Sequence, residues 1–245
     1  MQPLILYDIP SKLPGNTWSP NPAKPRFVLS YKGLPYETLW VEFPDIAETM
    51  KDIGAQPSKN ADGSETYTVP VLKDPNTQSI ITDSFAIAEY LEKTYPAKPI
   101  FPNNSNALIR VFDPAFGAAN QAAIKLIMRR TTDILNPRSK DYFIRARTKM
   151  FRLARWEDLA PDGERRDTDW ANLKKGLETV NGWYEKSDGQ WIMGNTFSYA
   201  DIIVACRIFW YKNVLTDEEW RELSSWNDGR WARLVEEAEK ECNLR

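Results

Sequence analysis

The chain contains no histidine. That absence excludes Ser-His-Asp and Cys-His nucleophile systems and every metal site built on imidazole. Hydroxyls, amides, backbone N–H groups and fixed charges remain as the available chemistry, and no metal is expected. Only two cysteines occur, Cys206 and Cys242, both in helical stretches, so no disulfide framework is expected either. No apolar run approaches the roughly 20 residues of a membrane span. Met1-Gln2-Pro3 leads straight into strand-like sequence, without the charged and apolar regions of a secretory leader. A surplus of one charge is missing too: net charge is −2, with acids and bases interspersed, which argues against a nucleic-acid partner. A cytoplasmic protein is the expectation.

Aromatic residues are abundant instead. Ten tryptophans and 12% aromatic residues suit a site for flat aromatic ligands, although such residues equally build cores. At 245 residues and 42% hydrophobic content, the chain has ample core for one large domain or two smaller ones.

Pro3 to Tyr7 is a continuous apolar run of strand length, as expected for a strand buried on both faces. A polar, proline-rich loop from Asp8 to Asn21 leads to a helix ending near Lys32, with Gly33 as its stop. Tyr36 to Val41 alternates as a strand does, giving a βαβ unit with parallel pairing. Asp45-x-x-Glu48 has capping-box spacing for a short helix that stops at Gly54. Pro57 to Glu65 is hydrophilic and reads as a surface loop. Tyr67 to Leu72, a turn at Asp74-Pro75-Asn76, and Ile80 to Thr82 read as two strands. A helix opening at Asp83-Ser84 closes the unit near Tyr95. A proline cannot donate to a ladder, so Pro70 belongs at a strand's first residue or an edge. A cis Val69–Pro70 bond would turn the Val69 carbonyl and N–H clear of the sheet, towards an extended ligand.

Pro96 to Asn106 has the composition of a linker, and beyond it the pattern is helical almost throughout. Ser105 to Leu135 is a long periodic stretch that Pro114 is expected to kink. Ser139 to Ala160 is basic and aliphatic, ended by Pro161-Asp162-Gly163. Trp170, Leu173, Leu177, Val180 and Tyr184 form a core stripe. Ser198 and Asp201 have capping-box spacing, with Phe197 placed to staple against Ile202. The segment from Asp217 onward is a last helix or pair of helices.

The stretch Val69-Pro70, strand, turn, Asp83-Ser84 resembles the thiol-binding edge of soluble glutathione transferases. The order of elements, the proline linker and the Ser198/Asp201 box extend that resemblance over the whole chain. It implies a thioredoxin-like α/β domain over 1–95, a linker over 96–106 and an all-α domain over 107–245. It also implies glutathione as co-substrate, bound by Val69, Pro70, Asp83 and Ser84, with Lys51 and Gln56 at its glycine end. A helix N-terminus is suited to a carboxylate; an ordinary hairpin and helix cap is the alternative. Ser198 and Asp201 are structural in this picture, with removal costing about 1 kcal/mol or more.

Thr17-Trp18-Ser19-Pro20-Asn21-Pro22, with Tyr31-Lys32-Gly33-Leu34-Pro35 closing the helix, resembles the bacterial β-etherase transferases. It is closer still to the fungal etherase-related class of wood-decaying basidiomycetes. By that resemblance Ser19 is the thiolate-stabilising donor, supported by Asn21 and Thr17. Trp18, Phe112, Phe116 and Asn120 would line a hydrophobic acceptor pocket. The implied activity is a serine-type glutathione transferase acting on hydrophobic aromatic compounds, as a homodimer. Two alternatives stay open: a ligandin that carries glutathione and polyphenols without turnover, and a regulatory or interaction module on the same fold.

Overall fold

The computed structural model describes residues 1–60 and 62–244. Positions 61 and 245, in the expected surface loop and at the end of the expected second domain, lie outside the described residues.

Strand β1 (Leu4–Asp8) pairs in parallel with β2 (Tyr36–Trp40) across helix α1 (Pro20–Tyr31). Its other edge pairs antiparallel with β5 (Val71–Asp74), which pairs antiparallel with β6 (Ser79–Thr82). The resulting order β2-β1-β5-β6 is the mixed sheet of a thioredoxin-like domain. Its central strand is buried, with Leu4 and Leu6 fully covered. Helix α1 stops where expected: Lys32 is its cap residue and Gly33 takes φ +67°, a conformation that favours glycine. Helices α2 (Ile46–Asp52) and α3 (Ser84–Thr94) complete this half.

The Asp45/Glu48 capping box does not form, and the Asp45 side chain caps nothing on α2. Its carboxylate faces Arg138 on helix α6 (Pro137–Met150), at 2.8 and 3.0 Å. A guanidinium offers two parallel charge-assisted bonds, which a backbone amide does not match. Within the expected surface loop, β3 (Ser58–Lys59) and β4 (Glu65–Thr66) pair as a short antiparallel ladder.

The linker is docked rather than free. Lys32 Nζ donates to Glu92 at 2.7 Å and to the carbonyls of Tyr95, Ala97 and Lys98 at 3.0–3.2 Å. Ile100 and Phe101 are buried, and their N–H groups reach the Glu92 carboxylate. One buried ammonium thus ties the end of α1 to the chain crossing into the helical half.

That half comprises α4 (Asn106–Ala119), α5 (Gln121–Thr131), α6, α7 (Glu164–Tyr184), α8 (Tyr199–Val214) and α9 (Asp217–Glu241). Pro114 lies inside a helix rather than at its end. Helix α4 runs through Pro114 and ends at Asn120, whose Nδ2 donates to the Phe116 carbonyl at 3.0 Å. Gly176 of α7 packs against that break: a Cβ there would lie 1.9 Å from the Ala119 carbonyl oxygen. The break between α4 and α5 thus coincides with a close approach of α7. Helix α9 bends at Asn227, Asp228 and Gly229, all with positive φ. All ten tryptophans are buried or half-buried. Among the described residues, no helix is long and apolar enough to cross a membrane.

Candidate active site

A cleft of about 1130 Å³ opens between the sheet edge and the helical half. Its first wall is the chain entering β5. The ladder of β5 begins at Val71, so Val69 lies outside it, and the Val69–Pro70 bond is cis. Both residues line the cleft together with Glu65 and Thr66 of β4 and Tyr67 after it.

The second wall is the start of α1. Ser19 is the cap residue, with extended backbone (φ −72°, ψ 129°), yet its side chain caps nothing. The reason lies in the sequence. A cap side chain accepts from the N–H of the second or third helical residue. Proline at positions 20 and 22 leaves the first and third helical residues without an N–H, so only Asn21 can donate. The Ser19 hydroxyl is thereby left available at the cleft, with Trp18 and Asn21 beside it. Thr17 stands apart: its hydroxyl turns back to the Gly15 carbonyl at 3.4 Å and is not part of the cleft wall.

The third wall is the start of α3. Asp83 takes φ +84°, uncommon for a side-chain-bearing residue, and its Oδ1 accepts from Phe85 N at 3.0 Å and Ala86 N at 3.1 Å. Two of the helix's free donors are therefore already used. The N–H and hydroxyl of Ser84 and the second carboxylate oxygen of Asp83 are not used by these caps. Ser84 is also pinned from across the domain boundary, because Tyr199 Oη donates to its carbonyl at 2.9 Å. Burial pushes the Tyr199 hydroxyl well above its ordinary pKa, so it remains a donor.

Tyr199 is the first residue of α8, held by the expected box. Asp201 accepts from Ser198 N at 3.0 Å, Ser198 Oγ at 2.8 Å, Ile192 N at 2.9 Å and Tyr184 Oη at 3.1 Å. Burial raises its pKa to about 6 against these four donors.

The helical wall differs from expectation. Phe116 and Asn120 are fully buried in the core, and Phe112 packs edge-on against Trp183 at 5.7 Å. Helix α4 instead turns Arg110 and Asp113 to the cleft; these sit three residues apart, on a different face from Phe112 and Phe116. The charged pair within an otherwise apolar helix was the signal available in the sequence. Lys24 of α1 bridges to Asp113 at 3.5 Å. The aromatic wall comes from Phe43 and from Tyr142 and Phe143 of α6, with Trp210 of α8. Phe43 is set there by the Ser139 hydroxyl, which accepts from Phe43 N at 2.9 Å, while Glu42 accepts from Asn136 and from Ser139. These residues are far apart in sequence and carried no shared motif. Lys51 lines the cleft, its ammonium 5.4 Å from the Tyr67 ring centroid, whereas Gln56 is exposed and outside it.

A second cavity of about 300 Å³ lies between α5, α6 and the turn at Trp156–Leu159. Its arginines are already engaged: Arg129 with the Ala160 carbonyl, Arg130 and Arg166 with Glu219. Its charged groups are thus largely paired within the protein. Among the described residues, no group of three or more acidic or cysteine side chains is placed to hold a metal ion.

The cleft therefore combines a sheet-edge segment outside the ladder, an uncapped hydroxyl and a helix start beside an aromatic wall. Residues 18–94 match the glutathione S-transferase N-terminal domain and residues 107–240 the C-terminal domain, so the chain belongs to the glutathione S-transferase family. A glutathione S-transferase of Ceriporiopsis subvermispora, solved in complex with glutathione, is 39% identical, with a TM-score of 0.92 over 98% of each chain. A glutathione transferase of Phanerochaete chrysosporium is 34% identical, with a TM-score of 0.88 over 98% of this chain and 97% of that one. Among curated proteins, the glutathione S-transferase-like protein ustS of Aspergillus flavus is 31% identical over 95% of this chain and 88% of its own length. The solved structures named here come from wood-decay basidiomycetes.

Proposed function

We propose that this protein is a serine-type glutathione transferase that joins glutathione to hydrophobic aromatic electrophiles. The observation that carries the reading is the uncapped Ser19 hydroxyl at the mouth of a cleft that also gathers Val69, Pro70, Asp83 and Ser84. Glutathione would lie along the sheet edge, its cysteinyl backbone on Val69 and its γ-glutamyl end on Asp83 and Ser84. Lys51 would meet the glycine carboxylate. Residues 1–95 would carry the glutathione half and 107–245 the acceptor half, joined by 96–106.

The chemistry is electrostatic. A free thiol titrates near about 8.5, and only its thiolate is a strong nucleophile. Lowering that value by about two units requires about 2.7 kcal/mol of preferential interaction with the anion. A hydroxyl donor from Ser19, an amide donor from Asn21 and the positive end of α1 together reach that size. The sulfur then forms a bond to an electrophilic carbon, and the leaving group departs with its electron pair.

A second reading is favoured by the cleft's volume, which is larger than a typical small-ligand site of about 300–1,000 Å³. In that reading the protein chiefly carries aromatic ligands and glutathione. A homodimer in the cytoplasm belongs to both readings, and exposed Leu108 and Val111 on α4 offer an apolar patch for the contact. The discriminating experiment pairs thermal shift with turnover. A ligand that binds only the folded state stabilises it by about 2.7 kcal/mol at a hundred times its dissociation constant. Stabilisation by glutathione with conjugation of a chloronitroaromatic supports the transferase. Stabilisation by polyphenols without turnover supports the carrier, and no shift with any of them removes both.

A further inference from the structure

The acceptor half of the cleft carries positive charge that the protein itself does not neutralise. Arg147 of α6 and Arg207 of α8 both line it. Among the described residues, neither forms an ion pair with a carboxylate, whereas Lys24 in the same cleft is bridged to Asp113. Arg147 lies over the Phe143 ring at 5.2 Å and Arg207 over the Trp210 ring at 5.7 Å. Ring stacking holds a guanidinium in place without consuming its hydrogen bonds. The Arg147 Nε is buried without a hydrogen-bond partner, and its Nη1 reaches only the Met150 sulfur at 3.4 Å. Trp18 Nε1, also buried and also on the cleft, has no partner either.

These donors are joined by a run of rings. Trp18 contacts Phe43 at 6.4 Å; Phe43 stacks on Tyr142 at 6.3 Å, with 9° between planes, and meets Phe143 at 5.4 Å. Trp18 adjoins Ser19, so the run extends from the expected sulfur position to Arg147. A partly buried guanidinium with no counter-ion is costly unless something supplies the missing charge. Burial also pulls Arg147 below its ordinary pKa, the direction expected of a cation lacking a partner. A carboxylate matches the guanidinium fork in both charge and geometry.

We propose that the acceptor site selects aromatic compounds bearing a carboxylate, the ring lying along Phe43, Tyr142 and Phe143 and the anion meeting Arg147, with Arg207 in support. This rests on the glutathione-transferase reading, because that reading places the reacting sulfur beside Trp18. Arg147 is then a specificity residue, and the charge on the ring matters as much as its apolar area.

The test uses the folded full chain and a matched pair of conjugates, S-(4-carboxy-2-nitrophenyl)glutathione and its methyl ester. Calorimetric affinities are measured for glutathione and for both conjugates, in the wild type, Arg147→Gln and Arg147→Lys. The expected result is an acid-over-ester preference of about tenfold or more in the wild type. That preference should be lost in Arg147→Gln and partly kept in Arg147→Lys. Glutathione affinity in each variant reports that the fold and the first half of the site are intact. Glutathione binding with no acid preference, or a preference that survives in Arg147→Gln, would overturn the proposal and leave the transferase reading standing. No glutathione binding by the wild type would overturn both.

Discussion

Replacing Asp201 with alanine tests how the helical half holds the glutathione edge. The side chain is fully buried and accepts four hydrogen bonds, from Ser198 N, Ser198 Oγ, Ile192 N and Tyr184 Oη. The two hydroxyls can rotate to other acceptors, but the two backbone N–H groups cannot. At about 1–3 kcal/mol for each buried donor left unsatisfied, the loss is about 2–6 kcal/mol, above that of a typical exposed cap. The pH dependence has a definite sign. Burial raises the folded-state pKa of Asp201 from 3.8 to about 6. Between those values the folded state binds the proton more tightly than the unfolded chain does. The contribution of Asp201 is therefore fully present below about pH 4 and partly lost as pH rises through about 6. At 1.36 kcal/mol per unit, this change is on the order of 3 kcal/mol. The stability gap between wild type and Asp201→Ala, read from urea denaturation, should be wider at pH 4.5 than at pH 7. A gap that widens as pH rises would mean that the donors outweigh burial, and would refute this balance. Because Asp201 anchors the residue before Tyr199, whose hydroxyl holds the Ser84 carbonyl, the variant should also bind glutathione more weakly.

Two further substitutions bear on the site and its support. Asp83→Asn should keep the caps on Phe85 N and Ala86 N, and hence most of the stability, while lowering glutathione affinity at least tenfold; unchanged calorimetric affinity would exclude a charge role. Gly176→Ala places a Cβ 1.9 Å from the Ala119 carbonyl oxygen, so it should cost at least about 1–3 kcal/mol and disturb the α5 face that carries Ile124 and Met128. Gly182→Ala on the same helix meets nothing within 4 Å and should be neutral or slightly stabilising, so equal urea midpoints for the two variants would contradict this packing.

Features set by local chemistry were legible in the sequence: the stop at Gly33, the end of α2 near Gly54, the cap at Asp83, the box at Ser198 and Asp201. Each depends on residues a few positions apart, whose preferences a single chain displays. Where tertiary partners compete, the reading diverged. Asp45 prefers Arg138 of a distant helix to its own backbone, and the α4–α5 break falls at Asn120, against Gly176 of α7. The helical wall of the cleft was the least legible part. Helix α4 is apolar over most of its surface, so its pattern alone does not say which face meets the cleft and which meets Trp183. Phe43, Tyr142 and Phe143 come together only through the Glu42–Ser139 docking of the two halves. The prolines at 20 and 22 were visible, but their effect of freeing the Ser19 hydroxyl emerges only once α1 is seen to start at Pro20.

The most direct test of the central claim is the titration of the glutathione thiol in its complex with the protein, followed by thiolate absorbance in wild type and Ser19→Ala. The account predicts a bound thiol that ionises about two units below its ordinary value of about 8.5. In Ser19→Ala it should return most of the way, with glutathione still bound. A wild-type complex whose thiol titrates at the ordinary value, or a variant that titrates like the wild type, would contradict it.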